Sequence, residues 1–196
     1  MKHLSIRQKM SFPLVAACLV VLLFVVVSQL NANALKHQST VISEQFVPSI
    51  SGVLNADRDL YQARLALLKS VLNPEQRELG RQDYSENSEQ AKDRMNSFNA
   101  MMREYPNVLA HTQEFDRRFT QWDEESLAIF DSLDRASFEA TNKSFQALRV
   151  IYDKAGEAAL SQAAALRLES EQTSARLSLF MNISAAVTLI YLASIS

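Results

Sequence analysis

With only three glycines and four prolines among 196 residues, the chain lacks the turn formers that a sheet protein of this size needs, and its composition points to helices. A formal net charge of −2, with the basic residues spread along the chain, leaves no footprint for nucleic acid. The single Cys18 excludes an intramolecular disulfide and a cysteine-based zinc site.

Residues 1–10 carry Lys2, Arg7 and Lys9 and no acidic residue, which predicts a cytoplasmic N-terminus by the positive-inside tendency. Residues 11–31 are uncharged and read as a first transmembrane helix, since a hydrocarbon core needs roughly 20 helical residues. Ala32, Asn33 and Ala34 resemble a signal-peptidase site, and cleavage at Ala34 would release a secreted helical bundle. Against it, the preceding apolar run exceeds the ~7 to 15 residues of a secretory core. Val15 to Cys18 has the look of a lipoprotein box, but the longest apolar stretch follows Cys18, which therefore reads as a membrane-helix residue.

Helical spacing of threes and fours runs through Phe46, Ile50, Val53, Leu54, Tyr61, Leu65, Leu68 and Leu72 and stops at Asn73-Pro74. Pro48 should bend or interrupt this helix, with Gly52 as a second soft point. A loop from Asn73 to about Gln82, containing Gly80, comes next. A second seam holds Tyr84, Ser88, Ala91, Met95, Phe98, Met102 and Tyr105, ended by Pro106. A third holds Leu109, Phe115, Phe119, Trp122, Ile129, Phe130 and Leu133 and closes near residues 134–137. The last carries Phe138, Phe145, Tyr152, Ala159, Leu166 and Thr173 at heptad intervals. It enters residues 177–196, uncharged after Arg176, which read as a second transmembrane helix although Asn182, Ser184 and Thr188 weaken it.

Four helices on short connections predict an all-α, up-down-up-down antiparallel four-helix bundle, residues 32–176, continuous with two transmembrane helices. Its first and last helices, about 43 and about 40 residues, both come to roughly 60 Å at 1.5 Å per residue, so they can start and finish at one membrane surface. Residues whose numbers sum to about 208 then lie level.

Asp57 and Arg64 put opposite charges on the line Ile50, Asp57, Arg64, Val71, beside the apolar lines through Leu60 and Tyr61. The level rule gathers Arg58, Tyr61, Arg64, Asn142, Phe145, Arg149 and Tyr152 in the membrane-distal half. Guanidinium groups hold a carboxylate through paired hydrogen bonds, and aromatic and amide groups can fix the rest of a small amino acid or organic acid. Arg58, Tyr61, Arg64, Asn142, Phe145 and Arg149 are the candidate ligand-binding residues. The competing reading satisfies Asp57 and Arg64 within the bundle or across a dimer interface, where polar seam residues fix register.

No other chemistry is indicated. His37 and His111 lack a ligand partner at helical spacing, no CxxCH is present, and the methionines fit seam positions. Asp123 to Ser126 reads as a solvated acidic face. Without a phosphate loop, a nucleophile elbow or an acid–base pair, neither enzyme activity nor a cofactor is expected.

The basic start KHLSIRQKM, the FVPSI proline, NADRDLYQARLALL and the span–bundle–span order together resemble the N-terminal half of a bacterial methyl-accepting chemotaxis receptor. The topology also resembles input domains of sensor histidine kinases and diguanylate cyclases. The resemblance implies a homodimeric periplasmic sensor in the inner membrane, multi-pass. It would bind a small solute or a periplasmic binding protein and displace its last helix. No HAMP linker, methylation helix or kinase-coupling hairpin follows Ser196, so the chain is expected to be a fragment or truncated product. It would reach cytoplasmic signalling proteins only through a further C-terminal region. The family's arginines of the first helix and polar or aromatic residues of the last fall approximately at Arg58, Arg64, Asn142, Phe145 and Arg149.

Overall fold

A computed structural model describes residues 6–195, and among them every regular element is helical. In chain order these are α1 (Ile6–Val41), a π turn (Ile42–Phe46), α2 (Val47–Leu72), a 3₁₀ turn (Pro74–Gln76), α3 (Arg77–Met101), α4 (Pro106–Leu109), α5 (Phe115–Ser132), α6 (Arg135–Ala140) and α7 (Asn142–Ile195). Val41–Ala164 form one compact unit, and the described residues up to Thr40 group with those from Ala165 onward in another. The buried side chains of the first unit begin at Phe46 and end at Ala163.

Pro48 does not stop the helix. Its missing amide would have bonded four residues back, and the ladder immediately before it widens into the π turn, where the Val47 amide donates to the Ile42 carbonyl. This turn is anchored. The Gln45 side-chain amide donates to the Met101 carbonyl at the end of α3 (2.9 Å), and Phe46 packs edge-on against Tyr105 at 4.7 Å between centroids.

From Phe46 in the π turn the buried line continues on α2 through Ser49, Val53, Ala56, Leu60, Ala63, Leu67 and Ser70, at intervals of three and four. Asn73 leaves the helix at φ −133°, ψ 84°, the extended geometry imposed on a residue preceding proline. Gly80 is the first correction to the expected loop: it lies inside α3 and is buried. A Cβ there would fall 1.9 Å from the Ser70 hydroxyl oxygen and 3.0 Å from the Ala66 carbonyl oxygen, so glycine is required by the close approach of α2 and α3.

The α3 seam from Tyr84 to Met102 is buried as its spacing predicts. Leu109 falls in the short α4 and not on the third long helix, because Pro106 starts a separate turn before α5. Leu133, at φ 52°, closes α5 in the left-handed conformation. Asp134 caps α6 by accepting the Ser137 amide (2.7 Å) and hydroxyl (2.6 Å), which holds its carboxyl below the usual range. Phe138 therefore sits on α6, separated from α7 by Thr141. On α7 the buried line continues through Phe145, Tyr152, Ala159 and Ala163, then ends: Leu166 is half-buried and Thr173 exposed.

The core of this unit is aromatic. Trp122, Tyr84, Phe130, Phe119, Phe115, Phe145 and Tyr152 form a chain of ring contacts with centroids 5.3–6.4 Å apart. Their polar tips are satisfied, Tyr84 donating to Asp123 (2.8 Å) and Tyr152 to the Ala91 carbonyl (3.3 Å), and burial pushes both phenols up. The stretch from Asp123 to Ser126 is consequently not a purely solvated face, since Ser126 is buried and Asp123 serves the core.

Two helical stretches, Ala17–Leu72 and Arg135–Ile190, contain segments long and apolar enough to cross a membrane, with none of either apolar window buried. In the second unit Leu14, Leu19, Leu22 and Leu30 are exposed, as are Leu179, Ile183, Val187 and Leu189. The hydroxyl of Thr188 bonds back to the Ser184 carbonyl (2.8 Å), which satisfies a polar group inside the apolar stretch. Residues 32–34 lie within α1.

Gly80→Ala is expected to destabilise the chain by about 1–2 kcal/mol in urea titration, the overpacking cost exceeding the helix-propensity gain. Ser70→Ala in the same chain should recover part of that loss, because it removes the nearest clashing atom.

Candidate functional site

Each residue step on a helix turns the side chain by about 100°, so Asp57, Arg58 and Asp59 leave α2 in three directions. Asp57 faces α7. It accepts from Arg149 Nε at 2.9 Å and Nη2 at 3.3 Å, a pair about three-quarters buried on both sides. Hydrogen bonding to Asp57 holds the Arg149 guanidinium above its ordinary pKa, against the opposing effect of burial. The same guanidinium lies 4.6 Å over the Tyr61 ring. Tyr61 in turn meets Phe145 edge-to-face, with centroids 5.1 Å apart and planes at 80°.

One turn further along α2, Arg64 reaches the junction of α6 and α7. Its guanidinium carbon is 4.5 Å from the Phe138 centroid and 4.6 Å from the Phe145 centroid. One nitrogen donates to the Thr141 hydroxyl at 3.4 Å. Arg64 makes no ion pair among the described residues, and its pKa is lowered, chiefly by burial, with Glu139 and then Tyr61 opposing the shift. Beside it Ser144 donates to the Glu125 carboxylate of α5 and to the Thr141 carbonyl. The cluster thus holds two guanidinium groups, three aromatic rings and the Asp57 carboxylate, with the Glu125 carboxylate beside it, and of the two guanidinium groups only Arg64 has no carboxylate partner among the described residues.

Of the six candidate residues, Tyr61, Arg64, Phe145 and Arg149 come together in this cluster. Arg58 does not join them. It turns toward α3 and donates through Nε (3.1 Å) and Nη2 (2.8 Å) to Asp59 Oδ1, while Arg94 donates to Asp59 Oδ2 at 2.6 Å. Asn142 is exposed at the start of α7, with no side-chain hydrogen bond among the described residues.

Asp59 is the residue that periodicity alone did not single out. It is 0 % exposed, clamped between Arg58 and Arg94, whose side chains are 56 % and 37 % exposed. Its spacing of three from Ala56 and four from Ala63 puts it on the core-facing side, which is the signal available in the sequence. Phe138 and Thr141, the other partners of Arg64, lie on the short segment that the last seam had merged into one helix.

Two surface clefts border this region. One of about 350 Å³ is lined by Glu125, Ile129, Ser132, Ser137 and Thr141. Another, of about 380 Å³, is lined by His111, Glu114, Arg118, Val150 and Lys154. Among the described residues no group of three His, Cys, Asp or Glu side chains is placed to hold a metal ion.

No protein family, curated protein or solved structure matches this chain.

Asp59→Ala should cost about 1–3 kcal/mol in equilibrium unfolding, since it removes the charge-assisted hydrogen bonds that Asp59 accepts from Arg58 and Arg94 while both arginines keep access to water. A double-mutant cycle on Asp57 and Arg149, whose groups retain solvent contact, should return a coupling of only about 1 kcal/mol. Equal costs at Asp57 and Asp59 would contradict the difference in burial.

Proposed function

We propose that the chain is a membrane-anchored sensory module of the kind found in methyl-accepting chemotaxis receptors. In this reading α2, α3, α5 and the first part of α7 form an up-down-up-down antiparallel four-helix bundle that faces the periplasm. The apolar segments of α1 and α7 cross the bacterial inner membrane. Lys2, Arg7 and Lys9 keep the N-terminus in the cytoplasm. The module is a homodimer and binds; it is not an enzyme.

One observation carries the reading: α7 is a single helix, Asn142–Ile195, that bears Phe145, Arg149 and Tyr152 in the aromatic core and, further along, an exposed apolar stretch. A change around Phe145 and Arg149 is therefore made on the same helix that enters the membrane. The stimulus is a small carboxylate, an amino acid or organic acid, held by Arg64 with Tyr61 and Arg149 beside it, or a binding protein that carries such a solute. Ligand shifts the equilibrium between two helix arrangements only by its differential affinity for them. A histidine kinase or cyclase would use the same input helix with a different output.

Thermal-shift titration of the full chain in detergent against amino acids and organic acids tests the ligand. A compound at a hundredfold excess over its Kd should add about 2.7 kcal/mol of stability, and the gain should vanish in Arg64→Ala and shrink in Arg64→Lys, which keeps charge but loses the planar fork. A stabilising compound that is indifferent to Arg64 would move the site elsewhere. If no compound acts on the wild type, direct sensing at this cluster is ruled out.

A further inference from the structure

The cleft of about 350 Å³ between α5 and the α6–α7 junction takes its apolar surface from Ala128, Ile129 and Ala140, and its main polar groups from Glu125, Ser137 and Thr141. That volume falls in the ~300–1,000 Å³ range of small-ligand sites. Glu125 is half-buried and accepts only from neutral donors, Gln121 Nε2 on Oε1 at 2.9 Å and the Ser144 hydroxyl on Oε2. It makes no ion pair among the described residues.

The hydroxyl groups decide what kind of ligand fits. Each hydroxyl has one hydrogen to give, and here those hydrogens are committed: Ser137 donates to Asp134 at 2.6 Å and Thr141 to the Phe138 carbonyl at 2.8 Å. Both therefore offer the cleft lone pairs only. Ser144 has two acceptors within reach of its single hydrogen, Glu125 Oε2 and, at 2.9 Å, the Thr141 carbonyl. A stronger donor can thus take over Oε2 while Ser144 turns to the carbonyl and loses no hydrogen bond. The polar side chains of the cleft present acceptors without a free donor, and the charges have the matching sign. Glu125 lines it and Asp134 stands behind Ser137. Arg64 touches Thr141 from α2 but is held between the Phe138 and Phe145 rings and lines no part of the cleft. Arg135 and Lys143 are exposed and line no part of it either.

From this we infer that the cleft binds a small primary ammonium ion, an alkylamine in its protonated form. Its three N–H groups are donors for Glu125, Ser137 and Thr141, and its carbon chain lies on Ala128, Ile129 and Ala140. A zwitterionic amino acid is disfavoured, because its carboxylate would meet Glu125 and Asp134 and find no donor. The site is separate from the Arg64 cluster and does not rest on the sensory reading.

The test is a titration of propylammonium chloride against the full chain in detergent, followed by saturation-transfer NMR of the amine. It runs to about 10 mM, since four non-hydrogen atoms limit affinity to roughly the millimolar to tens-of-micromolar range. Sodium chloride at equal concentration and tetramethylammonium chloride, a cation with no N–H group, are the controls. Propylammonium is expected to bind at least tenfold more tightly than tetramethylammonium. Glu125→Gln should weaken it at least tenfold, and Ala128→Leu, which fills the cleft from an exposed helix position without changing charge, should abolish it. Arg64→Lys should leave it within twofold of wild type. The inference is overturned by folded wild type that does not bind propylammonium, by equal binding of tetramethylammonium, or by binding indifferent to Ala128→Leu. Loss of binding in Arg64→Lys would equally overturn a site distinct from the carboxylate cluster, whereas failure of the amine titration leaves the carboxylate reading at Arg64 untouched.

Discussion

The close approach of α2 to α3 is the constraint from which the rest of the charge arrangement follows. Ala56, Ala63, Ala66 and Ser70 on one helix and Gly80, Ser88 and Ala91 on the other bring the backbones so near that a Cβ at Gly80 has no room. Such packing removes water from everything on that side of α2, Asp59 included. A carboxylate in that position is tolerable only when saturated with donors, and Arg58 and Arg94 supply them from its two sides. Arg58 is thereby committed to α3, which is why the four residues that gather at α7 are Tyr61, Arg64, Phe145 and Arg149.

That division answers why α2 carries charges on an apolar background. The line through Asp57 and Arg64 lies at the edge between the buried seam and the exposed one, where side chains reach α6 and α7 without full desolvation. Asp57 is matched by Arg149. Arg64 is matched by rings and a hydroxyl, which stabilise a cation less specifically than a carboxylate would. The unequal treatment of two neighbouring charges, one neutralised and one only sheltered, makes Arg64 the group with unspent donor capacity.

Much of the helical layout was legible in the sequence because periodicity is local: helices over Phe46 to Leu72 and Tyr84 to Met102 follow from intervals of three and four, but Leu54, Tyr61, Leu65 and Leu72 of the first seam are exposed, and the core takes the line through Ala56, Leu60, Ala63 and Leu67, whose small alanines carry a weaker apolar signal. The level rule was also informative, since Arg64 with Phe145 and Tyr61 with Arg149 lie within one turn of the expected pairing. It could not give azimuth, and azimuth separates Arg58 from Arg64. Gly80 reads as a loop residue in the sequence because its reason for being glycine sits on another helix, at Ser70 and Ala66. Asp59 was hidden for the same cause: its partner Arg94 is 35 residues away, and neither residue announces the other. The break at Thr141 is equally invisible, because heptad spacing runs from Phe138 to Phe145 across it without loss.

Tyr61 connects these levels. Its ring is a platform for Arg149 and an edge partner for Phe145, and at 44 % exposure it also meets solvent. Anything that displaces the ring from the solvent side therefore disturbs both contacts at once, and by linkage the state of the cluster alters the affinity of whatever displaces it by the same free energy. The half-exposed ring is thus the point at which the Asp57–Arg149 pair, otherwise three-quarters buried, is open to influence from outside the chain.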